Sequence, residues 1–333
     1  MMKLQYLLDN RELAIELLQN WTYDPLRMDV LNQYRISSNA VYPFYQDGKV
    51  CFLRFAPEAE KTVVSVQSEL DFMAYLRSNG FSTSEPIPSR EGKDLLVCPT
   101  EMGNYIAVVF KCAVGKKIEG LAFDERLFEQ YGKTMGQMHK LSSSYRCKGH
   151  KRANWEQQLT WVEACFLEFK APQSALRELL LVREALQRLP VTTSNFGLIH
   201  YDFELDNVFY DAQTDLFTTI DFDDAVYHWF AMDVVQTLNN LQEELDSAQV
   251  EIAKNCFLDG YQTVMDLPPE LMSQFGLFER YAGLYQYARC MRATYEHLDN
   301  EPEWMVNLRT YLATLMQKHE KGFNLETDKS LPL

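Results

Sequence analysis

The sequence predicts an α+β chain of two lobes: a small lobe of β-hairpins with one helix up to about residue 110, then a larger, mainly helical lobe over residues 121–321. Three observations predict it. Alternating apolar runs gather before residue 110, helical periodicity takes over from Phe123, and short apolar runs within residues 197–220 interrupt that periodicity. At 333 residues the chain is long enough for two domains or one two-lobed unit.

Leu13, Leu17 and Leu18 recur at helical spacing, so a short amphipathic helix opens the chain and covers the small lobe. Ala40–Tyr45 and Lys49–Phe55 are β-rich runs joined across Gln46-Asp47-Gly48, a turn whose Asp-Gly pair tolerates positive φ. Pro43 inside the first run places it at an edge or a bulge. Val63, Val66, Leu70, Met73 and Leu76 mark a helix that ends at Asn79-Gly80. Two more strands follow, Asp94–Cys98 and Tyr105–Phe110, and residues 111–120 connect to the second lobe.

Beyond Phe123, Leu127, Tyr131, Met135, Met138 and Leu141 draw one apolar stripe. Further helical patterns cover Trp155–Phe169, Ser174–Leu189, Trp229–Leu245, Ala248–Met265, Pro269–His297 and Trp304–His319. Residues 322–333 lose periodicity and are expected to form a flexible tail.

Lys and Arg number 32 against 47 Asp and Glu, a net charge of −15 that excludes nucleic acid and anionic membrane as main partners, both being of the same sign. It suits a neutral or cationic small molecule. The seven cysteines are scattered without a CxxC pair, which indicates neither a disulfide framework nor a zinc knuckle. The N-terminal apolar run is too short for a secretory signal, and no run approaches a membrane span, so a cytoplasmic protein with reduced thiols is expected. His139, His150, His228, His297 and His319 share no metal-ligand spacing and read as surface or capping residues.

The chemistry gathers in two short segments, Leu198–Tyr210 and Thr218–Ala225. The runs Gly197–Ile199, Val208–Tyr210 and Phe217–Ile220 read as strands, which leaves Asp202 and Asn207 on one loop and Asp221 at the start of the next. Two carboxylates and an amide oxygen can converge there. Hard oxygen donors of this kind suit Mg²⁺, which takes one or two protein carboxylates and fills its shell with phosphate oxygens and water. The constellation is one for phosphoryl transfer.

His200-Tyr-Asp202, then Asn207 five residues on and Ile220-Asp221-Phe222 fourteen after that, resembles the catalytic loop and metal-binding segment of the kinase superfamily. Tyr201 in place of Arg, and Ile-Asp-Phe-Asp-Asp in place of Asp-Phe-Gly, make it similar to the aminoglycoside phosphotransferase and choline kinase-like family. The resemblance implies a two-lobed protein-kinase-like fold and an ATP- and Mg²⁺-dependent phosphotransferase acting on a small-molecule hydroxyl. It implies Asp202 as catalytic base, Asn207 and Asp221 as metal ligands, and His200 as a residue that holds the loop.

By the same resemblance Ser37-Ser38-Asn39 stands where these kinases cover the nucleotide, although without the glycines of a GxGxxG loop. Arg54 stands where a Lys or Arg meets the α- and β-phosphates, and Glu69 is its ion-pair partner. Phe110, Lys111 and Cys112 match the linker whose backbone meets the adenine edge. Asp233 matches a structural aspartate, while Asp223 and Asp224 suit either the metal or a solvated turn. On the helix Tyr281–Arg292, Tyr285 and Arg289 could border a substrate, though a core stripe is the simpler reading. The alternatives are a catalytically silent nucleotide-binding protein, suggested by Arg54 and the glycine-poor loop, and a Ser/Thr protein kinase. Against the latter, the next helix follows Asp221 too soon for a long activation segment. The acceptor (an amino alcohol, an aminoglycoside or a homoserine-like compound), the ATP or GTP preference and the oligomeric state are not written in the sequence.

Overall fold

The computed structural model describes residues 1–323; all but the first two residues of the expected tail lie outside them. The chain divides into two compact units. One comprises residues 9–152 and 191–272 and holds the antiparallel sheet lobe and the short strands of residues 196–229; the other comprises residues 1–8, 153–190 and 273 onward and is helical.

The first unit opens with α1 (Arg11–Leu18), followed by β1 (Arg35–Ile36), β2 (Ala40–Gln46) and β3 (Lys49–Pro57). Asp47 and Gly48 join β2 to β3 with φ of 49° and 75°, as a two-residue hairpin turn requires. Then come α2 (Val63–Ser78), β4 (Leu95–Thr100) and β5 (Gly103–Lys111), and the five strands order as β1-β2-β3-β5-β4, all antiparallel. Pro43 pairs with Phe52 on one side and lies past the two residues of β1 on the other, so its missing N–H leaves no ladder bond unmade.

Alternation along β3 divides its side chains between two jobs. Cys51, Leu53 and Phe55 join the core that α1 covers with Leu13, Leu17 and Leu18. Phe52 and Arg54 point the other way, into a cavity. Helix α2 starts on a capping box, with Thr62 Oγ1 accepting from Ser65 N and Ser65 Oγ accepting from Thr62 N, at 3.1 and 3.2 Å.

Strand β6 (Lys116–Lys117) and helix α3 (Glu125–Ser144) lead onward. Four short strands follow, β7 (Phe196–Ile199), β8 (Val208–Asp211), β9 (Leu216–Thr219) and β10 (Val226–Trp229). They form a two-stranded sheet, β10-β7, and a three-stranded one, β6-β8-β9. Helices α6 (Phe230–Glu244) and α7 (Ser247–Gln262) follow. Helices α3 and α7 approach at glycines: a Cβ on Gly132 would stand 1.9 Å from the Phe257 carbonyl oxygen, and one on Gly260 1.8 Å from that of Glu129. Only two bare backbones fit together there.

In the helical unit α4 (Trp155–Glu168) and α5 (Gln173–Gln187) pack against α9 (Phe275–Thr294), which in turn packs on α10 (Glu303–Gly322). Tyr281 and Tyr287 of α9 are buried, whereas Tyr285 and Arg289 are half-buried, with Tyr285 edge-on to Trp161 and the Arg289 guanidinium 5.4 Å from its ring centre. The single helix expected over residues 269–297 is two: α8 (Pro269–Met272) ends, and the Gln274 carbonyl accepts from Leu277 and Phe278 to begin α9. The break falls where the chain passes between units. Leu271 and Phe278 are seven residues apart and both buried, so the apolar stripe runs through the break in phase and hides it. Among the described residues, no helix is long and apolar enough to cross a membrane.

Candidate active site

A cavity of about 400 Å³ opens within the first unit. From the sheet lobe it is lined by Ser37, Ser38, Asn39, Arg54, Phe110 and Lys111, and from the loops after β7 and β9 by Asp202, Asn207 and Asp221. Of the residues expected to bind nucleotide or metal, two are not on its wall. Glu69 reaches it only through Arg54, and Cys112 is exposed, with its thiol on the Ala113 carbonyl.

The strand register explains the convergence. Val208 pairs with Thr219, and the ladder continues one step to Ile220 N, which donates to the Asn207 carbonyl at 2.9 Å. Asn207 and Asp221 thus flank the same end of one hairpin. Asn207 Nδ2 donates to the Asp202 backbone oxygen at 3.0 Å and to Asp202 Oδ2 at 2.9 Å. Both partners accept, so the amide must turn its NH₂ toward them and keep its oxygen for another ligand.

His200 is fully buried and holds the loop from inside. Its Nδ1 accepts from Asp202 N at 3.2 Å, so the proton sits on Nε2 and is donated to the Ile220 carbonyl at 2.9 Å. Burial lowers its pKa against the pull of Asp233, keeping the ring neutral. Below it Asp233, also fully buried, accepts from His200 N at 2.8 Å and Tyr201 N at 2.6 Å. These bonds hold Tyr201 at a φ of 71°, uncommon for a bulky residue.

Asp233 takes a third contact, His139 Nε2 at 3.0 Å, while His139 Nδ1 meets the Tyr261 hydroxyl at 3.0 Å. The expectation of a surface or capping role fails for His139 and for His228, both fully buried. His139 sits on the inner face of α3 because it has polar partners there, which spacing does not disclose.

Arg54 gives both terminal nitrogens to Glu69, and its Nη1 lies 3.5 Å from Asp221 Oδ1. Its guanidinium carbon lies 5.0 Å from the Phe110 ring centre. Burial opposes its charge, but Glu69, with Asp223 and Asp221 behind it, pushes its pKa above the usual range. Asp221 itself takes a left-handed backbone, φ 60° and ψ 64°, and keeps 45 % of its side chain exposed. The surrounding walls raise its carboxyl to about 6 even so: desolvation outweighs Arg54, and Asp223 and Glu69 add to it.

Asp223 differs. It is buried, its Oδ2 accepts from Asn39 Nδ2 at 3.0 Å and pairs with Lys61, and against its burial the charges of Lys61 and Arg54 carry its pKa below the usual carboxylate range. Asp224 lines the cavity. Sequence reasoning passed over Lys61, Arg152 and Tyr261 and misplaced His139. Each lies outside the two motif segments, and only the folded chain brings it to them.

The phosphotransferase enzyme family model matches residues 35–267, more than half of the chain. The chain belongs to the phosphotransferase enzyme family. Among its relatives is the amicoumacin kinase of Bacillus subtilis (strain 168), 28 % identical over 211 residues, a match spanning 62 % of this chain and 61 % of that protein's length. A likeness of fold to solved structures extends over nearly the whole chain. A structure of the amicoumacin kinase hAmiN in complex with AMP-PNP, Ca²⁺ and Ami superposes with a TM-score of 0.75 at 22 % identity, covering 96 % of this chain and 95 % of that one. The microcompartment-associated aminopropanol kinase gives 0.68 at 19 %, covering 93 % and 96 %.

Proposed function

We propose that this family member is an ATP-dependent small-molecule kinase that phosphorylates a hydroxyl group. The observation that carries the reading is that Asp202, Asn207 and Asp221 line one cavity together with Arg54 and the Ser37–Asn39 loop. That is the arrangement phosphoryl transfer asks for, since catalysis there is chiefly positioning and charge neutralisation.

In this reading Asp202 orients the acceptor hydroxyl and takes its proton as the oxygen attacks the γ-phosphorus. The bond from that phosphorus to the β,γ-bridging oxygen breaks, and ADP leaves with the electron pair. Asn207 holds the Asp202 carboxylate in place through its amide nitrogen. Arg54 serves the α- and β-phosphates, and Phe110 with Lys111 borders the adenine; Cys112, off the cavity wall, would contribute backbone at most. The Asn207 side-chain oxygen and Asp221 would hold Mg²⁺, and the raised carboxyl of Asp221 fits a site that awaits a cation. Bound there, Mg²⁺ supplies neutralisation of charge on the phosphates. Among the described residues no three His, Cys, Asp or Glu side chains converge on a metal, so such an ion would depend on the nucleotide for its remaining ligands.

The names of the relatives support an acceptor of the amino-bearing kind, and the acidic balance of the chain agrees with it. The test is ADP release from Mg·ATP with amino alcohols, aminoglycosides and homoserine-like compounds. Asp202→Ala should lose roughly 10²–10⁴-fold in turnover on any acceptor found while still binding AMP-PNP. Full turnover in that variant, or no release with any acceptor class, overturns the reading.

A further inference from the structure

Asp221 stands in a left-handed backbone conformation, φ 60° and ψ 64°, without being glycine. Such a conformation is uncommon for a residue that carries a side chain, and it persists only where the surroundings impose it. What imposes it here lies just downstream. Phe222 is fully buried, packed on His200 with ring centres 4.4 Å apart and edge-on to Phe72 of α2 at 5.8 Å. The Asp223 side chain is held by Lys61 and Asn39. The backbone beside it is held at Ala225 N by the Phe222 carbonyl at 3.1 Å and from Val226 onward by pairing with β7, and its carbonyls are held by one side chain: Arg152 donates through Nε to the Ala225 carbonyl at 2.7 Å and through Nη2 to the Asp223 carbonyl, while its Nη1 donates to the Ser65 carbonyl at 2.9 Å.

Ser65 belongs to the first turn of α2, the helix that carries Glu69. The guanidinium of Arg152 therefore ties that helix to the segment that follows Asp221. Lys61, just ahead of the same helix, ties to that segment a second time. Three carbonyls at the angles of one planar fork are a demand that Lys cannot meet.

We propose that Arg152 and Lys61 are positioning residues for the metal–nucleotide site, fixing the segment of residues 223–225 so that Asp221 keeps its left-handed backbone and its carboxylate stays aimed at the cation. Asp223, on this account, is a strut and not a metal ligand, its Oδ2 being taken by Asn39 and Lys61. The inference rests on the functional reading above, and it adds that α2 and the metal segment are joined by permanent side-chain contacts of this chain.

The experiment compares the affinity of AMP-PNP with Mg²⁺ and with EDTA for the wild-type chain and for Arg152→Met, Arg152→Lys and Lys61→Met, alongside their thermal unfolding midpoints. The wild type should gain affinity with Mg²⁺. In the variants the metal-free affinity should stay within about twofold of wild type, while the metal-dependent gain falls roughly ten- to a hundredfold, the usual cost of losing a residue that orients a metal ligand. Arg152→Lys should restore little of it. Should Arg152→Met fail to fold, Arg152→Lys and Lys61→Met decide. An unchanged metal-dependent gain in folded variants overturns the inference alone, as does an equal fall with and without metal. A wild type with no metal-dependent nucleotide binding overturns the functional reading, and this inference with it.

Discussion

Arg54 and Glu69 meet as two planar groups, nitrogen to oxygen at 2.8 and 2.7 Å, with Glu69 almost wholly buried and Arg54 nearly so. Breaking such a pair from one side leaves a desolvated charge behind. Glu69→Gln should therefore destabilise the protein by about 3–5 kcal/mol, read as a lower urea midpoint with an unchanged slope. Arg54 would retain the charge of Asp223 and a longer contact, 3.5 Å, to the half-exposed Asp221. A loss under 1 kcal/mol would mean that water reaches the pair and that Arg54 does not depend on α2 for its orientation.

This pair also marks how far the sequence is legible. Arg54 and Glu69 could be named because β3 and α2 announce themselves by periods of two and about 3.6, and family resemblance supplied the rest. Asp202, Asn207 and Asp221 were legible for a similar reason: they punctuate short apolar runs whose pairing makes neighbours of their ends. Arg152 left no comparable mark. It bonds to three backbone carbonyls, and carbonyls have no side-chain identity for a sequence to display. His139 was misplaced because a histidine on an apolar stripe looks the same whether it faces water or a buried carboxylate. The break between α8 and α9 was hidden by a stripe that stays in phase.

The glycines of α3 and α7 yield a prediction that needs no ligand. Gly132 and Gly260 each abut a carbonyl of the opposite helix, and a main-chain oxygen cannot rotate away as a side chain would. Alanine is the better helix former by about 1 kcal/mol, so an isolated helix would gain from the change. Inside this pair the added methyl must force the axes apart, an overpacking cost of about 1–3 kcal/mol or more that outweighs that gain. Gly132→Ala and Gly260→Ala should both lower the thermal midpoint. The double variant should lose less than the sum, because once the helices have separated the second methyl meets less resistance. A neutral or raised midpoint in either single variant would show that the helices can shift without loss.

Buried His228 sets a pH dependence that can be separated from that of the active site. Its Nδ1 accepts from Trp229 N at 2.9 Å, and burial, only partly opposed by Asp233, lowers its pKa from 6.5 to about 3. The unfolded chain therefore takes up a proton near pH 6.5 that the folded chain refuses until about pH 3. Stability from this group is fully present above pH 6.5 and is lost as the pH falls from there toward 3. At about 1.36 kcal/mol per pH unit, roughly 2 kcal/mol should go by about pH 5. Asp221 and Glu204 run the other way. Burial, with Asp223 beside the one and Asp206 beside the other, raises their carboxyls to about 6 and about 7, so the folded chain takes those protons first. A bare titration of stability would mix the two signs. Comparing wild type with His228→Gln by urea unfolding at pH 7 and pH 5 isolates the histidine, because the carboxylates are common to both. The stability advantage of the wild type should shrink by about 2 kcal/mol between the two pH values, and an advantage that stays constant would place the folded-state pKa of His228 near its ordinary value.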